Sequence, residues 1–411
     1  MQLEEQRILQ TEDSVQIDER TRVDTMTINM GPQHPSTHGV LRLILTLDGE
    51  TVTKAIPDIG YLHTGIEKTA ETKNYFQALV LTDRMDYLAP LSNNLGYALA
   101  VEKLLDITND IPAKAVYMRV LLTELQRIAS HLVWLGTHAL DLGAQSVFLY
   151  AFREREVILD IFELCSGVRL MTSYIMPGGL QADLPPGLDA KVRAFLTAFP
   201  GHLREYHDLL TNNRLWISRT KGIGPLTREQ AIAFGASGPT LRGSGVAWDV
   251  RKMFPYAGYD QFKFEIPVGT NGDTYDRYLV RMLEMDQSLG IVQQALDGMP
   301  DGRWQVADPK IVPPPKWQIA TNMESLIHHF KLYTEGYRPP VGEVYQRIES
   351  PKGELGYYLV SNGTAKPYRM HVRAPSFGNL QALPTMIEGQ LLSDVVASIG
   401  SIDIVLGEVD R

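Results

Sequence analysis

The chain has 411 residues, and its 39 Lys and Arg against 48 Asp and Glu give a net charge of −9. An apolar fraction of 44% is enough for a sizeable core, and the length indicates roughly two to three domains or one large domain. The sequence has neither the clustered Lys and Arg of a nucleic-acid binder nor an apolar run long enough to cross a bilayer. We therefore expect a globular chain with no nucleic-acid partner, no transmembrane segment and an extended polar arm over residues 1–23.

Cysteine usage restricts the chemistry further. Cys165 stands alone, so the chain cannot form an internal disulfide, a zinc ribbon or a cysteine-ligated iron–sulfur cluster. Its helix-like context, ILDIFELCSG, favours a buried and inert thiol over a reactive nucleophile. If the chain takes part in redox chemistry, the metal centres must lie in another chain.

Three strand-like runs follow the arm. MTINM, VLRLILTL and TVTKAI alternate or run apolar with β-branched residues, which predicts strands within residues 24–56. The loop GPQHPSTHG would then join the first two strands. We interpret residues 24–60 as an N-terminal β-sheet region.

Residues 61–335 are interpreted as a helical core with a Gly-rich insertion at 214–272. Helices are predicted around 97–105, from Pro112 to Gly143, from Gln145 to Cys165, and over 188–212 and 273–299. TREQ at 227–230 has the form of a capping box that opens a short helix. The RERE run at 153–156 is expected on an outer or partner-facing surface.

The C-terminal part, residues 336–411, is predicted to form a hairpin and a tail that packs on the core. IVPPPK at 311–316 indicates an extended connector before it. GELGYYLVS and PYRMHVRA, separated by NGTAK, predict the hairpin itself. Because strands and long helices occupy separate stretches without βαβ alternation, the predicted fold class is α+β, with a small N-terminal β-sheet, a central long-helix bundle and a C-terminal β-hairpin.

The histidine loop allows three interpretations. His34 and His38 have the H-x3-H spacing of a metal site, but that spacing needs a helix face, which Pro35 disfavours. They are alternatively plain surface residues, or groups that donate hydrogen bonds and protons, since histidine titrates near neutral pH. Nucleotide chemistry has no comparable candidate, because the sequence contains no GxxxxGK[ST] loop and no GxGxxG between a strand and a helix.

Two other segments carry candidate polar residues. In RMDYLAPLSNN, Arg84, Asp86 and Tyr87 stand beside a proline just before a helix. A tyrosine in such a position is most often a buried ring with a satisfied hydroxyl. Asp141 falls among apolar residues at a helix end, where an anion is disfavoured, so it requires a partner.

Ten ordered segments between residue 24 and the C-terminus are informative together. They are GPQHPSTHGVLR, IGYLHTGIEK, RMDYL, ELQRIASHL, LDLGA, FREREVILD, SGVAWDVRK, FKLYTEG, KGELGYYLVSNG and VRAPSFGNLQ. In this order they resemble the 49 kDa-type subunit of respiratory complex I, the family that includes the D-type subunits of bacterial NADH:quinone oxidoreductases.

The resemblance implies a fold similar to the large subunit of nickel–iron hydrogenases, which hold their metals with two CxxC pairs. The matching positions here are Asp86 and Ala89 in RMDYLA, and Val405 and Glu408 in DIVLGE. All four thiols are missing. The implied pocket is therefore free of metal, and no cofactor is expected to be held by this chain.

The function implied by the resemblance is a peripheral subunit, on the cytoplasmic side of the bacterial plasma membrane, that binds quinone as substrate. His38 and Tyr87 match the residues that hydrogen-bond the quinone headgroup and supply protons. Asp141 matches the acid that pairs with His38 and favours its charged form, and Arg84 matches an arginine near the partner's terminal cluster. The implied partners are the iron–sulfur subunit, the 30 kDa-type subunit and the membrane-arm subunit at the quinone entrance.

One position departs from the family pattern. G-x-R-x-H-x-x-Y appears here as residues 167–174 with Met171 in place of the histidine. We therefore expect the potential of the partner's cluster to depend only weakly on pH through this position.

A non-catalytic scaffold, which docks the iron–sulfur subunit onto the membrane arm, is the alternative interpretation of the same resemblance. Substitution of His38 and Tyr87 separates the two interpretations, because a scaffold keeps its activity without them.

Overall fold

The computed structural model describes residues 15–17 and 24–411. Its first sheet is antiparallel with strands in chain order, namely β1 Val15–Ile17, β2 Asp24–Met30, β3 Arg42–Asp48 and β4 Thr51–Asp58. The strands predicted within residues 24–56 are confirmed, and the histidine loop joins β2 to β3 as expected. Strand β1 falls within the predicted arm, and the rest of that arm lies outside the described residues.

Alternation along β3 determines how the first sheet packs. Leu43, Leu45 and Leu47 are buried while the residues between them are half-buried, because successive side chains of a strand point to opposite faces. These leucines share a core with apolar residues near the C-terminus, including Val395 and Ile399. The N-terminal sheet and the end of the chain are therefore packed together.

Helices make up most of the remainder. Up to the second large sheet they are α1 Ile66–Ala70, α2 Tyr75–Thr82, α3 Pro90–Leu104, α4 Ala113–Asp141, α5 Gln145–Ser166, α6 Leu188–Tyr206, α7 Arg214–Thr220, α8 Arg228–Ala233, α9 Gly238–Gly243, α10 Val250–Met253, α11 Thr274–Gly298, α12 Lys316–Thr321 and α13 Met323–Thr334. A two-stranded ribbon, β5 Ile175–Met176 and β6 Gly179–Leu180, lies between α5 and α6. The predicted helices are confirmed, although α3 begins at Pro90, well before residue 97.

Helix α4 is the centre of the larger core. Nearly all of its residues from Met118 to Gly136 are buried, and it packs against α5 and α11. A helix that is apolar on most sides is stable only in such surroundings. Pro112 precedes the helix, and Gly143 adopts a left-handed conformation just after it, so both predicted ends are confirmed.

Of two short sequence patterns within the helical region, one predicted its structure correctly and the other only in part. The capping box is confirmed, since Thr227 Oγ accepts a hydrogen bond from the Gln230 amide and the Gln230 side chain accepts one from the Thr227 amide. The expectation that the RERE run is an outer surface was wrong for half of it. Glu154 and Arg155 are buried, with Glu154 2.5 Å from Arg153 Nε, because the run spans more than one face of α5.

The second large sheet has three antiparallel strands, β7 Gly342–Ser350, β8 Gly353–Ser361 and β9 Arg369–Arg373. The predicted β8–β9 hairpin is confirmed, and the proline-rich connector forms no helix or strand over residues 311–315. Strand β7 was missed. The chain ends in α14 Pro375–Gln381, α15 Leu383–Ile387, α16 Leu392–Ile402 and α17 Leu406–Asp410, and the mixed architecture is compatible with the α+β class.

Candidate functional site

The histidine loop is a short 3₁₀ turn over Pro35–Thr37 that packs on α16. His34 begins the turn, and its Nδ1 accepts a hydrogen bond of 3.2 Å from the Ser36 amide. His34 is exposed, whereas His38 ends the turn in a left-handed conformation (φ 51°) and is half-buried. The loop therefore separates its two histidines, turning one outward and the other toward the core.

His38 lies in an environment that favours the neutral ring. Its Nε2 atom is fully buried and has no hydrogen-bond partner among the described residues. Burial lowers the pKa of His38 below its ordinary value; Asp403 opposes this shift and Lys352 adds to it. The lowered pKa favours the neutral imidazole at neutral pH, and the charged form of His38 held by an acid stays a prediction.

Tyr87 lies in the segment between α2 and α3. Asn93 Nδ2 donates to the Asp86 carbonyl at 3.2 Å and Gln126 Nε2 donates to the Leu88 carbonyl at 2.7 Å, which fixes the backbone on both sides of Tyr87. The tyrosine itself is half-buried. Burial raises its pKa, and the neighbouring Asp86 raises it further, so the phenol stays protonated at physiological pH.

A buried ion pair lies beside both of these side chains. Lys352 Nζ donates to Asp403 Oδ2 at 3.2 Å and to Ser130 Oγ at 3.0 Å. Both members of the pair influence the pKa of His38 and that of Tyr87, which places the imidazole and the phenol around the same charges. The fold therefore brings a loop of the N-terminal sheet and a segment of the helical core to one place.

Lys352 and Asp403 were not among the residues predicted from the sequence. Lys352 is in the tight turn between β7 and β8, where a lysine is normally exposed, yet it is 1% exposed. Asp403 follows the apolar helix α16 and is also buried. An acid among apolar residues was the signal used for Asp141, and it applied equally to Asp403.

Asp141 has a different neighbour from the one expected. As the last residue of α4 it accepts a hydrogen bond of 3.5 Å from Ser36 Oγ, and His34 is its electrostatic neighbour in the loop. Burial raises the pKa of Asp141, and the bond from Ser36 opposes that shift. In this structure Asp141 contacts the loop without a hydrogen bond to His38, whose acidic neighbour is Asp403.

Arg84 is exposed, two residues before buried Asp86. Its neighbour Asp83 is buried and accepts hydrogen bonds from Ser173 Oγ at 2.6 Å and Asn94 Nδ2 at 2.5 Å. Burial raises the pKa of Asp83 to about 6. The bond from Ser173 therefore connects the loop that contains Met171 to the residue that precedes Arg84.

The four positions that the resemblance matches to hydrogenase thiols lie in two segments far apart in the chain, 86–89 and 405–408. Glu408 and Asp86 are both buried, and the charge of Asp86 raises the pKa of Glu408. Gly407 lies so close to the Arg84–Met85 backbone that a Cβ at Gly407 would meet the Met85 carbonyl at 2.5 Å. Among the residues that the structure describes, no group of three or more His, Cys, Asp or Glu side chains is arranged to hold a metal ion.

A cavity of about 690 Å³ lies elsewhere, between the proline-rich connector and α13. Trp304, Pro314, Trp317 and His328 are among its lining residues, and none of the candidate site residues is. Within the described part of the chain, no helix is both long and apolar enough to span a membrane.

Comparison with known proteins decides the family. Residues 141–411 match the model of the family described as respiratory-chain NADH dehydrogenase, 49 kDa subunit. A D-type subunit (D 2) of the NADH-quinone oxidoreductase of Roseiflexus sp. (strain RS-1) is 63% identical over 391 residues, which cover 94% of this chain and 93% of that protein. The chain belongs to this family.

Two further relatives align over nearly their whole length. The corresponding D 2 protein of NADH-quinone oxidoreductase from Chloroflexus aurantiacus is 62% identical, and 95% of each chain is covered. The D-type subunit from Geotalea uraniireducens is 57% identical over 94% of this chain and 99% of that protein. The resemblance found in the ten sequence segments is confirmed.

Proposed function

We propose that this chain is the subunit of an NADH-quinone oxidoreductase that forms the quinone headgroup site together with an adjacent iron–sulfur subunit. The observation that carries the proposal is the common position of His38 and Tyr87 beside the buried Lys352–Asp403 pair. Both residues are half-buried, so each keeps part of its surface at the edge of this chain, although Nε2 of His38 is itself buried. A site shared with a second subunit requires that position.

The reaction requires two electrons and two protons for each quinone converted to quinol. The partner's iron–sulfur cluster supplies the electrons. Tyr87 and His38 each donate a hydrogen bond to one quinone oxygen, and these bonds strengthen as negative charge develops on the oxygens. The protonated phenol of Tyr87 then transfers the first proton. The second proton reaches the other oxygen through His38, whose neutral ring takes up a proton from water as it passes its own N–H proton to the quinone.

The surroundings of Tyr87 favour this division of roles. A phenol with a raised pKa holds its proton until a stronger base is formed next to it, and a reduced quinone oxygen is such a base. Asp141 acts through the loop, since its contact with Ser36 fixes the turn that precedes His38. Exposed Arg84 is then directed toward the partner's cluster.

The fold relation to nickel–iron hydrogenases and the arrangement of the complex are further parts of the proposal. The proximity of Asp86 to Glu408 and of Gly407 to Met85 supports a pocket where two CxxC pairs would meet. The proposed partners are the iron–sulfur subunit, the 30 kDa-type subunit and a membrane-arm subunit. The chain itself would lie peripherally on the cytoplasmic side of the membrane.

Substitution of the two donors in the assembled complex tests the proposal. We expect His38→Ala and Tyr87→Phe to lower quinone reduction by about 10²-fold or more, the range of a lost proton donor. NADH oxidation by ferricyanide, which does not require the quinone, should be unchanged. His34→Ala is the matched control, because it removes an exposed imidazole from the same loop.

The alternative function, a scaffold without a quinone site, makes the opposite prediction. Full quinone reduction in both the His38→Ala and the Tyr87→Phe complexes would favour the scaffold. Equal losses in the His34→Ala control would show that the loop, and not the imidazole of His38, was damaged.

A further inference from the structure

The charge of Asp86 acts on Glu408, and neither of these two buried carboxyl groups is fully paired. Glu408 Oε1 accepts a hydrogen bond of 3.0 Å from the Ser376 amide, and Asp86 Oδ1 accepts one of 3.1 Å from the Leu88 amide. The other oxygen of each carboxyl is buried and has no hydrogen-bond partner in the described part of the chain. Lys352 Nζ lies 3.9 Å from Asp86 Oδ2, beyond hydrogen-bond distance.

The charges around Asp86 and Glu408 favour a state in which this pair of carboxyl groups retains one proton. Asp86, Asp403 and Glu408 are three buried acids around the ammonium group of Lys352. Asp403 is already paired with that cation at 3.2 Å, and it also faces the guanidinium of Arg281. If Asp86 and Glu408 were both ionised, two negative charges would face each other in a site with little water, and such pairs retain a proton.

The groups that face the pair support this proton count. The charges of Lys352 and Asp403 act on Asp86, and Asp86 acts on Tyr87 and on the buried phenol of Tyr357, while Lys352 and Asp403 also act on His38. Burial, followed by the charge of Asp86, raises the pKa of Glu408 to about 8. Burial also raises the pKa of Asp86.

Tyr87 connects the pair to the quinone. It follows Asp86 directly in the chain, and Asp86 is the first charged group that affects its pKa. After Tyr87 gives its proton to the reduced quinone, a buried phenolate stands beside the acid pair. Because the pKa of the phenol is raised above its ordinary value, transfer of a proton from the pair to the phenolate is favourable.

We propose that Asp86 and Glu408 hold one exchangeable proton between them and pass it to Tyr87 after Tyr87 has protonated the quinone. The phenol O–H bond breaks as the quinol O–H bond forms, then a carboxyl O–H bond breaks as the phenol O–H bond is restored. The pair is left with two negative charges and takes up a proton from water. This proposal rests on the proposed function, and the pair acts through Tyr87 without contacting the quinone.

The experiment is an infrared titration of the purified intact complex, combined with quinone reduction measured across the same pH range. We expect a carbonyl band of a protonated carboxyl that disappears as the pH rises through about 8 and that is absent in Glu408→Gln. Quinone reduction in Glu408→Gln should fall about tenfold and lose the alkaline decline of the native enzyme. Glu408→Asp should restore part of both signals.

Two further variants make the outcome decisive. Glu229→Gln, an exposed glutamate given the same substitution, should change neither the band nor the rate. Asp86→Asn removes the charge that raises the pKa of Glu408, so the midpoint of the band should move to lower pH. If Glu408→Gln fails to assemble, the pH midpoint of the carbonyl band in Asp86→Asn is the deciding measurement. A midpoint equal to that of the native complex overturns the proposal.

The two proposals fail in different ways. A Glu408→Gln complex with the native band, rate and pH profile overturns the proton pair even if Tyr87→Phe is inactive. A fully active Tyr87→Phe complex overturns the quinone site whatever the infrared band does.

Discussion

Two buried clusters of charge among the described residues differ in how completely their carboxylate oxygens are paired. The first, here the Glu124 cluster, joins α4, α9, α10, α11 and β7 and consists of Glu124, Arg127, His131, Arg242, Asp249, Arg251, Glu284 and Glu349. The second, the Lys352 cluster, consists of Asp86, Lys352, Asp403 and Glu408. Each carboxylate oxygen of the Glu124 cluster has a partner, whereas Asp86 and Glu408 each leave one oxygen unpaired among the described residues.

The difference in pairing accompanies opposite pKa shifts at Glu124 and Glu408, although burial raises the pKa of Glu349 within the first cluster. Burial alone would raise the pKa of Glu124, but Arg127 and Arg251 lower it to about 2. The cation that acts on Glu408 is Lys352, which is already paired with Asp403, and the pKa of Glu408 rises to about 8. A cluster whose carboxylate oxygens are all paired holds elements together, while one with unpaired carboxylate oxygens keeps a proton that can move.

The largest expected effect is on assembly, from neutralising Glu124. Glu124→Gln leaves Arg127 without its carboxylate partner, while Arg251 keeps Asp249, and should cost about 3–5 kcal/mol, the range for breaking a buried ion pair. We expect little assembled complex in membranes. Glu408→Gln should assemble normally, since Glu408 is already largely protonated at neutral pH.

The contributions of Glu124 and Glu408 to the free energy of unfolding should depend on pH in opposite directions. The folded-state pKa of Glu124 is depressed, so its contribution is present above its unfolded pKa and is lost as the pH falls through about 2. The folded-state pKa of Glu408 is raised, so its contribution is lost as the pH rises through about 8. Thermal unfolding of the native and Glu408→Gln complexes at pH 6 and pH 9 checks this, and equal differences at both values would contradict it.

An intermediate effect is expected from Met171→His, in the loop near Arg84. The family pattern has a histidine at this position, and the chain has Met171 there. Met171→His places an imidazole in the loop that Ser173 ties to Asp83. The potential of the partner's cluster should become more negative with rising pH in the variant and should change less in the native complex. A steep slope in the native complex would contradict the expectation that Met171 weakens the pH dependence.

The smallest effect is expected from Ser36→Ala. The bond from Ser36 to Asp141 is long, at 3.5 Å, and lies at a half-buried site, so its loss should cost less than about 1 kcal/mol. Quinone reduction should stay within about twofold of the native rate. A loss as large as that of His38→Ala would show that Asp141 controls the loop more strongly than the contact distance indicates.

Prediction from the sequence succeeded where a local pattern was sufficient. The strands within residues 24–56, helix α4, the capping box at Thr227 and the β8–β9 hairpin each follow from periodicity or turn residues alone. Strand β7 was missed because its burial alternates irregularly, and the RERE run was misjudged because α5 is buried on more than one face.

For the candidate site, the sequence by itself determined the residue types. It supplied an imidazole, a phenol and acids in recognisable segments, with no thiols to hold a metal. Only the tertiary structure decided the neighbours of these groups, namely Asp403 as the acid that acts on His38 and Ser36 as the hydrogen-bond donor to Asp141. Lys352 and Asp403 are far from His38 in the chain, and no local pattern encodes their meeting, because it depends on the N-terminal sheet and the C-terminal helices sharing one core.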